Sequence, residues 1–430
     1  MEELTKLIRS DMLPALGVTE PGAIAFSAAK ACALAEGELR RITVRMNSGM
    51  YKNAFTCGIA NSEQTGSAFA AALGYLAGNA EKGLESLADV TPQDNASAQS
   101  LIDAGKVFVE LDGITSRIYI HTTVETDSHT ASVTIRDAHT NITKIVVDGQ
   151  TIFESDSESA ADTTEADAAS EVHSIHRYTL AQLLDYVNTV PAEEIAFVDE
   201  AYTVNLALFE EGLHSPRTTF ARTLLEMNGG TVISENEQNT ASLLCNGAIE
   251  ARVIGLDKPA MSITGSGAHG IIATMPLYAV YKIRALTKEQ LRRATMLSYL
   301  VCTYIKEYSG RLSAFCGCAI AAGSGMACGL CYLYGGGLRE MEYTLNNMAS
   351  SITGMICDGG NQGCTMKGVV ACDAAFRSVR FAMQGIHIDK VHGINGNTPE
   401  ETMRNMGRIA SPGMVHTEKT IVEIFEEKRR

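Results

Sequence analysis

An uncharged stretch at residues 315–337 constrains the fold of this 430-residue chain more than any other feature. It is long enough to cross a bilayer, so it must be buried either in lipid or inside a protein core. Ala, Gly, Ser and Cys predominate in it over Leu, Ile and Val, which makes its transfer into lipid weak. We therefore expect a helix buried in protein, whose small residues let its neighbours approach closely, and no membrane partner.

The charge balance argues against several classes of partner. The formal net charge is -15 and the pI is near 5.2, whereas binding to nucleic acid or to an anionic membrane depends on clustered Lys and Arg. Charged side chains are spread over residues 1–13, unlike a signal peptide, which predicts a cytoplasmic protein. The 11 cysteines are then expected to be reduced thiols and not disulfides.

Hydrophobic periodicity predicts an α+β fold. Apolar and polar residues alternate from Arg41, and β-type runs separated by turns extend from Lys106 to Phe153. We predict a small α+β domain with antiparallel strands at residues 36–153. Residues 1–35 together with 173–430 are predicted to form a large, mainly helical catalytic domain. Residues 154–172 are acidic and lack basic residues, which favours a mobile loop or linker over the alternative, a cation-binding segment.

Two cysteines, Cys357 and Cys364, flank a glycine-rich loop. Such a loop can bend both thiols toward one metal centre, and its amides can donate hydrogen bonds to cluster sulfides. Residues 313–319 supply a third thiol, from Cys316 or Cys318. Three protein ligands on a four-iron cube leave one iron open as a Lewis acid, which suits a dehydratase or a desulfidase. The alternative is a metal-free chain whose cysteines fill the core.

Landmark motifs occur in a consistent order along nearly the whole chain. They are residues 17–25 (GVTEPGAIA), Asn53, 58–59, 65–66, 264–270 (TGSGAHG), Lys306, Tyr308, Gly310, Leu312, Ser313, 316–319 (CGCA), 356–364 and 413–414. On these motifs the chain resembles the L-cysteine desulfidase family, which is related to the α subunit of iron-sulfur L-serine dehydratases. The resemblance implies a 4Fe-4S cluster held by Cys316, Cys357 and Cys364, with Cys318 competing for the position of Cys316.

The resemblance also implies a reaction, the β-elimination of sulfide or water from a small amino acid such as cysteine or serine, with deamination. Residues 264–270 precede an apolar helical run, and amides at a helix N-terminus favour an anion such as an α-carboxylate. Read without the resemblance, the same loop is an ordinary helix start. The expected substrate-binding residues are Thr19, Asn53, Thr264, Gly265, Ser266 and Gly267.

β-Elimination requires a base for the α-proton, and His269 and Glu20 are equal candidates. His269 titrates near neutral pH, and a partly buried Glu20 can have its pKa raised toward neutrality. The structural alternatives are an ordinary histidine and a carboxylate that caps a helix beginning at Pro21. Lys306 is a third catalytic candidate, which could neutralise substrate charge, although a helical lysine is usually solvated. The remaining histidines, His139 among them, are expected at the surface.

Two departures from the family pattern concern the substrate pocket. Desulfidases usually carry Cys where this chain has Val18, and an amide pair where it has Ala268 and His269. Altered polar groups are expected to reject the family's usual substrate. Cys57 could replace the missing thiol, although a buried cysteine is usually inert. A rival interpretation is a non-catalytic iron-sulfur or amino-acid-sensing protein of the same fold, and either protein could be a homo-oligomer.

Overall fold

The computed structural model describes residues 2–155, 174–310 and 312–429. The strands are β1 (Pro14–Leu16), β2 (Leu39–Met46), β3 (Val107–Leu111), β4 (Tyr119–Thr126), β5 (Thr130–Arg136), β6 (Ile142–Val147), β7 (Gln150–Glu154) and β8 (Pro259–Met261). The N-terminal helices are α1 (Glu2–Asp11), α2 (Thr19–Cys32), α3 (Ser48–Asn53), α4 (Ser67–Ala77) and α5 (Pro92–Asp103). The later helices are α6 (Leu180–Thr189), α7 (Asp199–His214), α8 (Phe220–Met227), α9 (Glu237–Val253), α10 (Gly267–Ile283), α11 (Lys288–Ser309), α12 (Gly323–Leu333), α13 (Leu338–Ile352), α14 (Gly363–Ala382), α15 (Pro399–Arg408) and α16 (Val415–Arg429).

This arrangement confirms the predicted α+β class, and most of the strands form one sheet. Their order is β3-β2-β4-β5-β6-β7. All neighbours in the sheet are antiparallel except β2 and β3, which pair in parallel, so the prediction of antiparallel strands is wrong for that pair. The reason is that α3, α4 and α5 lie between β2 and β3 in the chain, which leaves room for a parallel connection.

Helix α2 connects the sheet to the helical part of the molecule. It packs against β4, β5 and α4, and nearly every one of its residues is buried. The Ser27 and Thr122 hydroxyls are 2.6 Å apart where α2 meets β4. Strand β1, just before α2, pairs antiparallel with β8, just before α10. The chain segments on which Thr19 and Thr264 lie are thereby held together.

Most of the uncharged stretch is buried, as predicted, although Gly335 and Gly337 at its end are exposed, and only part of it is α-helical. Residue Phe315 pairs with Ile356 in an antiparallel bridge, a π-helical turn covers Cys318–Ala322, and α12 follows. Helix α12 packs against α10, α11, α13 and α14. No helix in the described part of the chain combines the length and apolar character that a bilayer crossing requires.

The predicted acidic linker falls almost entirely outside the described residues. Glu154 is the last residue of β7, and residues 156–172 are not described. The division into two domains around this linker remains a prediction.

Candidate active site

Backbone pairing places two of the predicted cluster ligands side by side. The amide of Cys316 donates to the carbonyl of Met355 at 3.0 Å, and the amide of Cys357 donates to the carbonyl of Ala314 at 2.6 Å. Cys364 lies in the first turn of α14, and its thiol donates to the carbonyl of Gly359 at 3.4 Å. Thus the segment before α12 and the glycine-rich loop before α14 carry their thiols to one region.

The thiols in this region influence each other's protonation. A hydrogen bond from Cys318, working against burial, lowers the pKa of Cys316 to about 7. Burial, reinforced by the nearby Cys357 and Cys316, raises the pKa of Cys364 to about 12. Burial also raises the pKa of Cys357, although Lys52 opposes this shift. The mutual effects show that Cys316, Cys318, Cys357 and Cys364 lie within electrostatic range of one another.

Two ammonium groups face the thiols. Lys52, from α3, is buried in an ion pair with Glu418 of α16 at 2.7 Å and also donates to the carbonyl of Ser313 at 2.9 Å. Lys367, from α14, pairs with Asp358. Electrostatic attraction from Lys367 lowers the pKa of Cys316, in addition to the effect of Cys318. Such cations favour thiolates, which are the form of cysteine that binds metal.

The thiols fit an iron-sulfur cluster in donor chemistry and in charge. No three His, Cys, Asp or Glu side chains of the described residues are arranged to hold a single metal ion. A cubane differs from a single ion because each cysteine binds a different iron, so its ligands lie further apart. Three cysteines on two paired segments, with ammonium groups beside them, supply such ligands. Both Cys316 and Cys318 lie in the region, so the choice between them remains a prediction.

Glu20 is buried in the first turn of α2 and belongs to a polar network. Its carboxylate accepts from the Asn53 amide at 2.9 Å and from the Thr19 hydroxyl at 3.1 Å, and it lies 3.9 Å from Nε2 of His139. Burial opposes its ionisation, but His139, Asn53 and Arg252 together lower the pKa of Glu20. The expectation that burial raises this pKa is therefore wrong, because partners outweigh desolvation.

Asn53 joins Glu20 to the cysteine loop. The thiol of Cys357 lies 3.8 Å from Oδ1 of Asn53, whose Nδ2 donates to Glu20. The carbonyl of Asn53 also accepts from the amide of Gly360 at 3.1 Å. Val18 packs here as well, because a Cβ on Gly360 would lie only 2.7 Å from Cγ1 of Val18. Val18, which stands where the family usually has cysteine, therefore contacts the cysteine loop directly.

His269 and Lys306 meet at the residue between Cys316 and Cys318. A Cβ on Gly317 would lie 2.8 Å from Nε2 of His269 and 3.0 Å from Cδ of Lys306. Lys306 is buried in α11 and donates to the carbonyl of Gly310 at 2.7 Å, so the usual solvated position of a helical lysine does not apply. Only glycine at position 317 allows this close approach.

The glycine-rich loop before α10 is strained and tightly held. Thr264 adopts φ 52° and Gly265 adopts φ 75°, and positive φ is costly for a β-branched residue such as threonine. The amide of Thr264 donates to Asp11 at 2.6 Å, and its hydroxyl lies 2.5 Å from Nδ1 of His269. The carbonyl oxygen of Gly265 lies 3.4 Å from the Thr19 hydroxyl, whose proton it shares with Glu20. The loop therefore links α1, α2 and α10.

Helix α10 begins at Gly267, earlier than the apolar run from Ile271 that predicts it, so His269 lies in its first turn. Ser266 is its N-cap residue, and the Ser266 side chain makes no capping hydrogen bond. The amides of the first helical turn are thus not capped by that side chain, and such amides attract anions. This placement agrees with the predicted carboxylate-binding role of Gly265, Ser266 and Gly267, which stays a prediction.

Several residues at the site were not singled out by the sequence pattern. His139, predicted at the surface, is buried beside Glu20, because the turn between β5 and β6 folds against α2. Arg252 acts electrostatically on both Glu20 and Cys57. Burial raises the pKa of Cys57 well above its usual value, and Glu20 and Cys364 contribute. No local signal identifies these residues, since each reaches the site through contacts between distant segments.

The chain is similar to known proteins over its whole length. Residues 81–423 match the family model described as serine dehydratase alpha chain. A UPF0597 protein of Clostridium botulinum is 40% identical over 431 residues, which cover 99% of each chain. UPF0597 proteins of Caldanaerobacter subterraneus subsp. tengcongensis and Desulfatibacillum aliphaticivorans are 34% and 33% identical, over 99% and 98% of this chain and 98% of each relative.

Proposed function

The chain belongs to the serine dehydratase alpha chain family, and on that premise we propose that it is a 4Fe-4S-dependent lyase. Its reaction is β-elimination, with deamination, from a small amino acid such as serine or cysteine. The observation that carries the proposal is the position of His269, whose Nε2 lies against Gly317 between two of the clustered cysteines. An acid-base group that is itself buried therefore lies beside the cysteine cluster.

Three cysteines would hold the cluster: Cys316, Cys357 and Cys364. When bound, a cluster with three thiolate ligands supplies a Lewis-acidic iron that activates a β-hydroxyl or β-thiol leaving group. Lys52 and Lys367 offset the negative charge of the thiolates, as their effects on the pKa values of Cys357 and Cys316 indicate. Cys316 is buried, whereas Cys357 and Cys364 are half-buried.

His269 is the better placed of the two candidate bases. We assign the ring proton of His269 to Nδ1, with the Thr264 hydroxyl oxygen 2.5 Å away as its acceptor, while that hydroxyl donates to the carbonyl of Ile263 at 2.7 Å. This tautomer puts the basic lone pair of the ring on Nε2, toward Gly317. His269 then removes the α-proton and holds it as the imidazolium.

Glu20 serves as a fixed negative charge. Its lowered pKa keeps the carboxylate ionised at neutral pH, where it is a weak base. Hydrogen bonds from Thr19 and Asn53 hold it beside the cysteine loop. A carboxylate in this position attracts and orients the ammonium group of an amino acid, while the N-terminus of α10 attracts the carboxylate. Lys306 neutralises charge next to Gly317.

Anaerobic reconstitution tests this function. We expect the full chain to bind four irons per chain, to show the broad visible absorption of a 4Fe-4S cluster and to release keto acid from serine or cysteine. Assays should include threonine and the D-enantiomers. Cys357→Ala and Cys364→Ala should lose iron and activity together, whereas Cys32→Ser, at the far end of α2, should retain both.

Cys316 and Cys318, the two candidates for the third ligand, are compared by the same measurements of iron content and activity. Full iron content in Cys316→Ala, with loss in Cys318→Ala, would reverse the ligand assignment. An intact cluster with amino-acid binding but no turnover would support the sensor interpretation instead. A protein that stays colourless after strictly anaerobic purification and reconstitution would remove the cluster from the proposal.

A further inference from the structure

We propose that Arg252 binds the α-carboxylate of the substrate, an assignment that rests on the proposed function and extends it to a residue outside the recognised motifs. Arg252 lies in the last turn of α9, and only 3% of its surface is exposed. It therefore faces the interior of the protein, where an arginine requires an anionic partner.

The protein itself does not supply a close partner. Nε of Arg252 is buried and has no hydrogen-bond partner. The carboxylate of Glu20 is near enough to have its pKa lowered by Arg252, but among the described residues its hydrogen bonds come from Asn53 and Thr19, and it forms no ion pair with the guanidinium. By contrast, Arg292 is held by two hydrogen-bonded oxygens of Asp199, at 3.0 and 2.6 Å. The buried guanidinium of Arg252, which lacks such an ion pair, is suited to a carboxylate ligand, because the two carboxylate oxygens match its planar donors.

Arg252 lies against the start of α10. A Cβ on Gly267 would be 2.7 Å from Nε and 3.2 Å from Cδ of Arg252, so glycine is needed for the guanidinium to approach the helix. The first-turn amides of α10 and the positive end of its dipole lie at the same place. Two groups that attract anions therefore converge, the guanidinium of Arg252 and the first-turn amides of α10. The Ser266 side chain at the N-cap makes no hydrogen bond to these amides.

The position of Arg252 also connects the carboxylate site to the rest of the active site. The amide of Gly58 donates to the carbonyl of Val253 at 2.9 Å, which packs the Cys57 segment on the end of α9. Cys57 interacts electrostatically with Arg252 and with Cys364. His269 follows Gly267 in the same turn of α10. A carboxylate held by Arg252 thus places a small amino acid between His269 and the cysteine loop.

The test measures ligand binding without relying on turnover. Melting temperatures of the anaerobically purified full chain are recorded against increasing L-serine, L-cysteine and the methyl ester of each. We expect the free acids, and not the esters, to raise the melting temperature of the wild type. In Arg252→Met the apparent Kd for the free acids should be about 10-fold to 100-fold weaker. Arg252→Lys should retain part of the affinity, because it keeps the charge but loses the bidentate geometry.

Arg292→Met is the matched control, since it removes an arginine that already has a protein partner. It should lower the melting temperature of the ligand-free protein and leave the response to L-serine unchanged. Equal affinity of wild type and Arg252→Met for the free acids would overturn the assignment of Arg252, while continued keto acid release would leave the proposed function standing. Failure of the wild type to bind or convert any of the free acids would overturn both.

Discussion

Replacement of Lys52 by methionine should destabilise the fold, because it leaves the buried carboxylate of Glu418 without its ion-pair partner. The side chains of Lys52 and Glu418 are 0% and 6% exposed, and their charged atoms are 2.7 Å apart. Oε1 of Glu418 is buried and has no hydrogen-bond partner, so Lys52 is the group that compensates this carboxylate. Breaking one side of a buried pair costs about 3 to 5 kcal/mol.

This free energy corresponds to a measurable shift in melting temperature. An unfolding entropy of about 2.1 cal/mol/K per residue amounts to about 0.9 kcal/mol/K for 430 residues. We therefore expect scanning calorimetry to show a decrease of about 3 to 6 °C for Lys52→Met. The double variant Lys52→Met/Glu418→Leu should recover most of this loss, because it removes both charges.

The double variant is the decisive comparison. A single variant as stable as the wild type would show that the pair contributes nothing. A double variant no more stable than Lys52→Met would show that the loss comes from packing and not from an unpaired carboxylate. Because Lys52 also donates to the carbonyl of Ser313, both variants should bind iron less tightly than the wild type.

Three further perturbations test the environment of His269 and Glu20. Glu20→Gln should be less stable than the wild type near neutral pH, because the lowered pKa of Glu20 contributes stability above its ordinary value of 4.5. This difference in stability should shrink as the pH falls below 4.5 and through the folded-state pKa, and a difference that widens on acidification would contradict the prediction. Gly317→Ala should displace His269 and Lys306 and reduce keto acid release about 100-fold, and an unchanged rate would mean that their approach to this residue is irrelevant. Thr264→Val should reduce the rate about 10-fold to 100-fold by removing the acceptor for Nδ1–H of His269, whereas Thr264→Ser should keep it.

Local patterns predicted much of the fold because the side-chain periodicity of strands and helices is a local property. Alternation from Arg41 predicted β2, and its apolar residues Ile42 and Val44 are fully buried. The lack of charge in residues 315–337 correctly predicted that most of the stretch is buried. It did not predict that Phe315, at its start, pairs with Ile356 in a β-bridge. The parallel pairing of β2 with β3 was also missed, since it depends on how the intervening helices fold back.

The sequence alone determined the family, the order of the motifs and which residue types are available for cluster, base and carboxylate binding. Tertiary structure decided which of them meet. Neither the contact of His139 with Glu20 nor that of Arg252 with Gly267 is visible in any short window, because each joins segments far apart in the chain. Tertiary structure also reversed the expected direction of the Glu20 pKa shift, because the balance between burial and charged partners depends on distances that only packing sets.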